Sequence, residues 1–213
     1  MRVLVLGGSG FIGGRVLHHL DAAGHPLTVL SRRPGARDDA DRGWRQIQGD
    51  CRDARTLAAA LDDCGAVVNC VTGDFETIRK GASALVTASR TAGRPAIIHM
   101  SSMAVYGGQR GRVDETTAPD PQVNWYGQAK QLAEQDLHGY AAEGGSAWIL
   151  RPGCVYGASS PQWVRRIAQW LRQRRIGDLG SGGDGWSNLV HVDDVAAAVT
   201  AAVTTANTAA AQA

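Results

Sequence analysis

RVLVLGGSGFIGG, residues 2–14, decides the fold. Its first five residues form the continuous apolar run expected of a strand buried on both faces of a parallel sheet. Gly7, Gly10 and Gly13 then follow at intervals of three, and Gly8-x-Gly10-x-x-Gly13 also fits the dinucleotide fingerprint. So tight a turn needs positive φ and close approach of backbone to a pyrophosphate, and glycine permits both. The helix opening at Phe11 and Ile12 aims its free N–H groups and its dipole at the phosphates. Alone the glycine spacing is weak; between a first strand and a first helix it is strong. The competing reading is a glycine-rich turn that holds nothing.

Outward from this stretch, strands and helices alternate. The pattern predicts a helix to Ala23, closed by Gly24 and Pro26, then strands LTVLS (27–31) and QIQG (46–49). A helix starts at Asp53 as N-cap, and a strand AVVNC covers 66–70. Further helices are expected over 75–91, about 124–142 and 161–175, with strands AIIHM (96–100) and AWILR (147–151) between them. A glycine-rich connector, a short strand NLVH and a final helix capped by Asp193 complete the order. Apolar strands alternating with helices imply an α/β fold, a parallel sheet with helices on both faces.

Composition narrows the classes. A chain of 213 residues suits one sizeable core, and 44% hydrophobic with 20% charged residues is ordinary for a globular domain. A net charge of +2 sets up no field demanding nucleic acid or an anionic membrane. No apolar run approaches the roughly 18 residues of a membrane span. Cys51, Cys64, Cys70 and Cys154 form no C-x-x-C pair and have no histidine cluster, so no metal site is expected. A reduced cytoplasmic protein without a signal peptide is the expectation.

At the end of the second strand an NAD site calls for Asp or Glu to hold the ribose hydroxyls. This chain has Ser31-Arg32-Arg33. Arginine clamps a phosphate bidentately, so the reading is NADP, with NAD as the other option; a merely solvated turn is the plainer alternative. Asp50, with Cys51 beside it in GDCRDA, suits the rim of an adenine pocket. Helix capping by Asp50 is the alternative, a role Asp53 fills equally well.

Ser102 follows the strand IIHM, at the end of the sheet where ligands bind. Tyr126 and Lys130 stand at i and i+4 of the next helix and share a face. A free tyrosine, with pKa about 10, is a poor base at pH 7, and a nearby ammonium favours its phenolate. Ser102 would orient a carbonyl, Tyr126 exchange its proton, and Lys130 assist and anchor the nicotinamide ribose. An isolated Tyr-x-x-x-Lys is more often a surface pair; the glycine turn and Ser102 favour chemistry. The arginines at 165, 166, 172, 174 and 175 read first as a solvated face, second as a clamp for an anionic substrate and last as a nucleic-acid surface.

GGSGFIGG, GDCRD (49–53), SSMAVYG (101–107), Tyr126-x-x-x-Lys130, RPGCVYG (151–157) and NLVHVDD (188–194) together resemble the extended short-chain dehydrogenase/reductase family, in its order and spacing over roughly residues 1–200. The resemblance implies a Rossmann-type doubly wound sheet and a Ser102–Tyr126–Lys130 set. It also implies cofactor contacts from Pro152, Gly153 and Val155. It divides the chain into a nucleotide-binding core (1–158), a short or truncated substrate segment (159–187), a returning strand and helix (188–203) and a tail (204–213). Where dehydratases of the family carry an Asp-Glu pair after the catalytic Ser/Thr, this chain has Met103 and Ala104, so dehydration is not expected. Ile78 stands where an asparagine is usual. The functional expectation is an NADP-preferring oxidoreductase or epimerase acting on a carbonyl compound or nucleotide sugar. The rival is a non-catalytic NADP-binding module. A homodimer is expected through alanine-rich faces of the helices at 75–91 and 124–142.

Overall fold

A computed structural model describes residues 1–33 and 42–210. In chain order the elements are β1 (Val3–Leu6), α1 (Phe11–Ala22), β2 (Leu27–Ser31), β3 (Arg45–Gln48), α2 (Ala54–Ala60), β4 (Ala66–Asn69), α3 (Phe75–Thr91), β5 (Ala96–Met100), α4 (Trp125–Ala142), β6 (Ala147–Leu150), β7 (Cys154–Tyr156), α5 (Ile167–Arg172), β8 (Leu189–His191) and α6 (Val192–Ala210). A 3₁₀ turn follows β5 at Met103–Tyr106.

Six strands pair in parallel in the order β3-β2-β1-β4-β5-β6. This is the doubly wound arrangement expected above. The chain leaves β1 toward one edge and returns at β4 on its other side, and that reversal opens a crevice at the carboxyl ends of the two strands. Strand alternation explains why both faces are apolar. Val3, Val5, Ala66, Val68 and Ile98 pack under α1 and α6, whereas Leu4, Leu6, Val67 and Ile97 pack under α2, α3 and α4. Asp53 caps α2 by accepting from Arg55 N at 3.0 Å. Among the described residues no helix is long and apolar enough to cross a membrane, and no group of metal-ligating side chains occurs.

Three elements differ from expectation. Cys154–Tyr156 forms β7, which pairs in parallel with β8 as a separate two-stranded sheet. The helix foreseen at 161–175 is a π-turn over Pro161–Arg166 followed by the short α5; Trp163 and Leu171 stay half exposed, so this segment has no face to bury. Asp193 lies inside the first turn of α6 and is ion-paired with Arg15 of α1 at 2.5 Å, so it ties two helices instead of capping one. α6 also runs past Val203 to Ala210, with Val203 and Ala206 buried.

Of the alanines behind the homodimer expectation, Ala82 and Ala88 of α3 and Ala129 and Ala133 of α4 are buried within the chain, Ala84 is half-buried, and Ala141 and Ala142 are exposed.

Close approach, more than burial, fixes the first loop. A Cβ at Gly13 would collide with the Gly7 carbonyl oxygen, whereas one at Gly139, within α4, would meet nothing within 4 Å. Gly13→Ala is therefore expected to cost about 1–3 kcal/mol in urea unfolding, and Gly139→Ala to stabilise by about 0.5–1 kcal/mol. Equal effects at the two positions would contradict this packing.

Candidate active site

The crevice at β1 and β4 is lined first by the glycine turn. Gly7 has φ +75°, and a Cβ there would lie 2.8 Å from the Cys70 carbonyl oxygen. Gly10 is the N-cap of α1 and offers no side-chain cap, so the N–H groups of Phe11, Ile12 and Gly13 open toward the crevice without an intrahelical acceptor. These N–H groups suit a pyrophosphate by charge.

At the carboxyl end of β2, the Ser31 hydroxyl accepts from Arg33 N at 3.2 Å, and Arg32 and Arg33 are exposed. The Asp50 carboxylate is occupied by Arg52, which donates from its backbone N at 2.9 Å, Nε at 3.0 Å and Nη2 at 2.6 Å. Those bonds pull the Asp50 pKa down to about 2, and Arg32 adds to the pull. Asp53 takes the capping role of α2, and Asp50 is engaged by Arg52, a partner the sequence did not reveal. Cys51 sits behind it, half buried, opposite Gly81.

At the other end, α4 begins at a cap built by Asn124, whose side chain accepts from Tyr126 N and Gly127 N at 3.1 and 3.0 Å. Gly127 lets the helix meet the 3₁₀ turn; a Cβ there would lie 2.6 Å from the Ala104 carbonyl oxygen. One turn on, Lys130 is 2% exposed, and its Nζ donates to the Met100 carbonyl at 2.6 Å, at the carboxyl end of β5. The same Nζ lies 5.9 Å from the centre of the Tyr126 ring. Ser102 caps the 3₁₀ turn by accepting from Ala104 N at 3.1 Å, and its hydroxyl also interacts with the Tyr126 phenol. Cys70 lies between the two ends of the site: its carbonyl abuts Gly7, and its thiol, on a half-buried residue, feels the Lys130 charge. Ser102, Tyr126, Lys130 and the glycine turn thus share one edge of the sheet. Pro152 accepts from Met103 N at 3.0 Å, and Val155 is buried in β7, which puts 152–155 beside Ser102.

The electrostatics differ from the expectation that Lys130 would acidify Tyr126. Burial pushes the phenol above its ordinary value, and Ser102 works in the opposite direction. Burial also lowers Lys130 to about 8, against support from Cys70 and Glu134. The thiol of Cys70, pushed up to about 12 by its own burial, is protonated at neutral pH, so Glu134 is the standing anion of the two. The ammonium is turned to the Met100 carbonyl, and the phenol's own burial keeps it neutral. His99, fully buried behind Lys130, is likewise held neutral by burial; its Nδ1 contacts Asn69 Nδ2 at 3.2 Å and its Nε2 has no partner.

The family profile described as the NAD dependent epimerase/dehydratase family matches residues 3–212. The chain belongs to that family. Among relatives, 2'-dehydrokanamycin reductase of Streptomyces kanamyceticus is 32% identical over 208 residues, covering 93% of this chain and 57% of that protein. UDP-glucose 4-epimerase of Azospirillum brasilense is 32% identical over 173 residues, covering 74% of this chain and 50% of that one. Among solved structures, a UDP-glucose 4-epimerase from Brucella ovis in complex with NAD superposes with a TM-score of 0.82 at 25% identity, over 98% of this chain and 74% of that one. This member of the epimerase/dehydratase family therefore spans about half the length of the curated relatives it matches.

Two residues of the site escaped sequence reading. Glu134 continues the Tyr126–Lys130 series at the next i+4 step, and Arg151 follows β6; the buried carboxylate and the part-buried guanidinium pair at 2.7 Å. The regular spacing of Glu134 behind a lysine was the available signal.

Because Lys130 is depressed from 10.5 to about 8, its charge destabilises the folded state by roughly 3 kcal/mol below pH 8. The native state binds fewer protons than the unfolded chain between those values, so stability should rise as pH climbs from 8 to 10.5. Lys130→Met is expected to remove that rise and, after loss of the Met100 bond, to stabilise the fold at pH 7 by about 1–2 kcal/mol. Urea unfolding at pH 7 and pH 10 reads both; a variant less stable than wild type at pH 7 would contradict the assignment.

Proposed function

We propose that this chain forms the dinucleotide-binding and catalytic part of an oxidoreductase or epimerase that acts at a carbonyl or hydroxyl carbon and prefers NADP. The observation that carries the reading is the meeting of Ser102, Tyr126 and Lys130 at the carboxyl end of β5, joined through Cys70 to the glycine turn. The dinucleotide, when bound, supplies or accepts the hydride. Ser102 orients the substrate oxygen. Tyr126 exchanges the proton with it; a phenol kept neutral by burial is poised as a donor, which favours reduction of a carbonyl. Lys130 carries its charge at neutral pH and has its other N–H bonds free for a ribose hydroxyl and the developing phenolate. Pro152, Gly153 and Val155 would border the nicotinamide. Met103 and Ala104 place no carboxyl beside Ser102, so expulsion of water has no acid to serve it.

Arg32 and Arg33, exposed after β2, support NADP over NAD: a guanidinium recognises the 2′-phosphate, and no carboxylate ends β2 to hold a free 2′-hydroxyl. The substrate class is a ketone or a nucleotide sugar, in keeping with the reductase and epimerase names of the relatives. Those names also favour catalysis over a non-catalytic binding module. Four free cysteines suit a reducing compartment, and we place the protein in the cytoplasm.

Tyr126→Phe is expected to lower kcat by about 10²–10⁴ with dinucleotide affinity within twofold of wild type. Stopped-flow NADPH absorbance and fluorescence titration measure the two; wild-type turnover in the variant would refute the role of the phenol. Arg32→Asp should shift the NADP/NAD affinity ratio toward NAD by about tenfold or more. An unchanged ratio would return Arg32 to the status of a solvated turn residue.

A further inference from the structure

Glu134 is 3% exposed, yet nothing in the proposed chemistry uses it. It lies two helical turns from Tyr126 and one from Lys130, on the same face of α4. Its carboxylate accepts from three donors on two strand ends. The Ser101 hydroxyl, at the end of β5 and adjacent to Ser102, donates to Oε1. Arg151, at the end of β6 and adjacent to Pro152, grips it with Nε to Oε1 at 2.9 Å and Nη2 to Oε2 at 2.7 Å. The third arm of the guanidinium, Nη1, reaches Tyr106 Oη at 2.5 Å, and that phenol donates to the Asp114 carbonyl at 2.9 Å. Thus one carboxylate binds α4 to the strand ends that carry Ser102 and the 152–155 segment, and through Tyr106 to the loop beyond.

A buried ion pair is a poor device for stability alone, since apolar residues of like volume commonly do as well or better without the desolvation penalty. What the pair supplies that leucines would not is direction: the fork fixes distance and angle between helix and strand. We propose that Glu134, braced by Arg151 and Ser101, is a positioning residue that holds Lys130 and Ser102 in register with each other. The proposal rests on the reading of Ser102, Tyr126 and Lys130 given above. The brace also has an electrostatic arm. The titratable groups facing Lys130 are Tyr126 and Glu134 from its own helix, Cys70 from the end of β4 and His99 from β5; the thiol and the imidazole are neutral near pH 7, and Glu134 is held beside Arg151.

Glu134→Gln keeps the size of the side chain and removes its charge, leaving the Arg151 cation uncompensated. The expected result is a fall in kcat of about tenfold or more at little-changed dinucleotide KM, with the alkaline limb of the pH profile moved down by about a unit. The Lys130 side-chain midpoint, read by NMR of labelled lysine, should move down in step, a shift that a merely structural loss would not cause. Glu134→Asp keeps the charge but shortens the arm; it should lower kcat and leave the Lys130 midpoint near its wild-type value. A folded Glu134→Gln with wild-type kcat and an unmoved Lys130 midpoint overturns the proposal. Should that variant not fold, Ser101→Ala decides: at least about a threefold loss of kcat with dinucleotide affinity retained supports the brace, and wild-type kcat overturns it. Because the Lys130 midpoint needs no turnover, an inactive wild type would fail the proposed function while the Glu134→Gln midpoint still judged the brace: a downward shift upholds it and an unmoved midpoint overturns it.

Discussion

An ammonium buried at the carboxyl edge of a parallel sheet is the constraint on which the site depends. Lys130 is removed from water by α4 and by the ends of β4 and β5, and it keeps its charge because the Met100 carbonyl accepts from it and a carboxylate stands one turn away. Desolvation makes that charge costly and, for the same reason, strong: in a site poor in water it acts on a neighbouring phenol or ribose with little screening. Lys130, Ser102 and Tyr126 must be close for this to matter, and the lysine's own hydrogen bond ties the helix to the strand that ends at Ser102.

The glycine turn imposes the complementary constraint. Leu6 ends β1 beside Asn69 of β4, the chain turns at Gly7 with its backbone against Cys70, and α1 starts four residues later. The crevice therefore has backbone N–H groups on one side and the Lys130 charge on the other, with Cys70 between them. A dinucleotide, anionic at its centre and with a ribose near its reactive ring, matches that order of charges.

Much of this was legible in the sequence because the signals are local. Continuous apolar strands announce a parallel sheet, glycines at 7, 10 and 13 announce a turn that tolerates no Cβ, and a Tyr–Lys pair at i and i+4 announces a shared helix face. What stayed hidden depends on partners distant in sequence. β7 is only three residues long and pairs with β8 across more than thirty residues of chain. Asp193 reads as a cap until Arg15 is brought to it from α1. Arg151 meets Glu134 only because β6 runs beside β5. Helical periodicity shows that the alanine faces of α3 and α4 are small and apolar without showing that neighbours within the chain cover Ala82, Ala88, Ala129 and Ala133. The electrostatics were hidden too: Tyr–Lys spacing gives proximity, but whether burial or charge dominates a phenol depends on solvent access.

The most direct test uses the scarcity of lysine. The chain has only Lys80 and Lys130, so protein labelled at the lysine ε-carbon and ζ-nitrogen gives two side-chain signals, with Lys130→Arg assigning one of them. The account expects the Lys130 signal to titrate near pH 8. A midpoint at the ordinary lysine value of about 10.4 would mean that the ammonium is solvated, and the picture of a desolvated cation organising the site would be wrong.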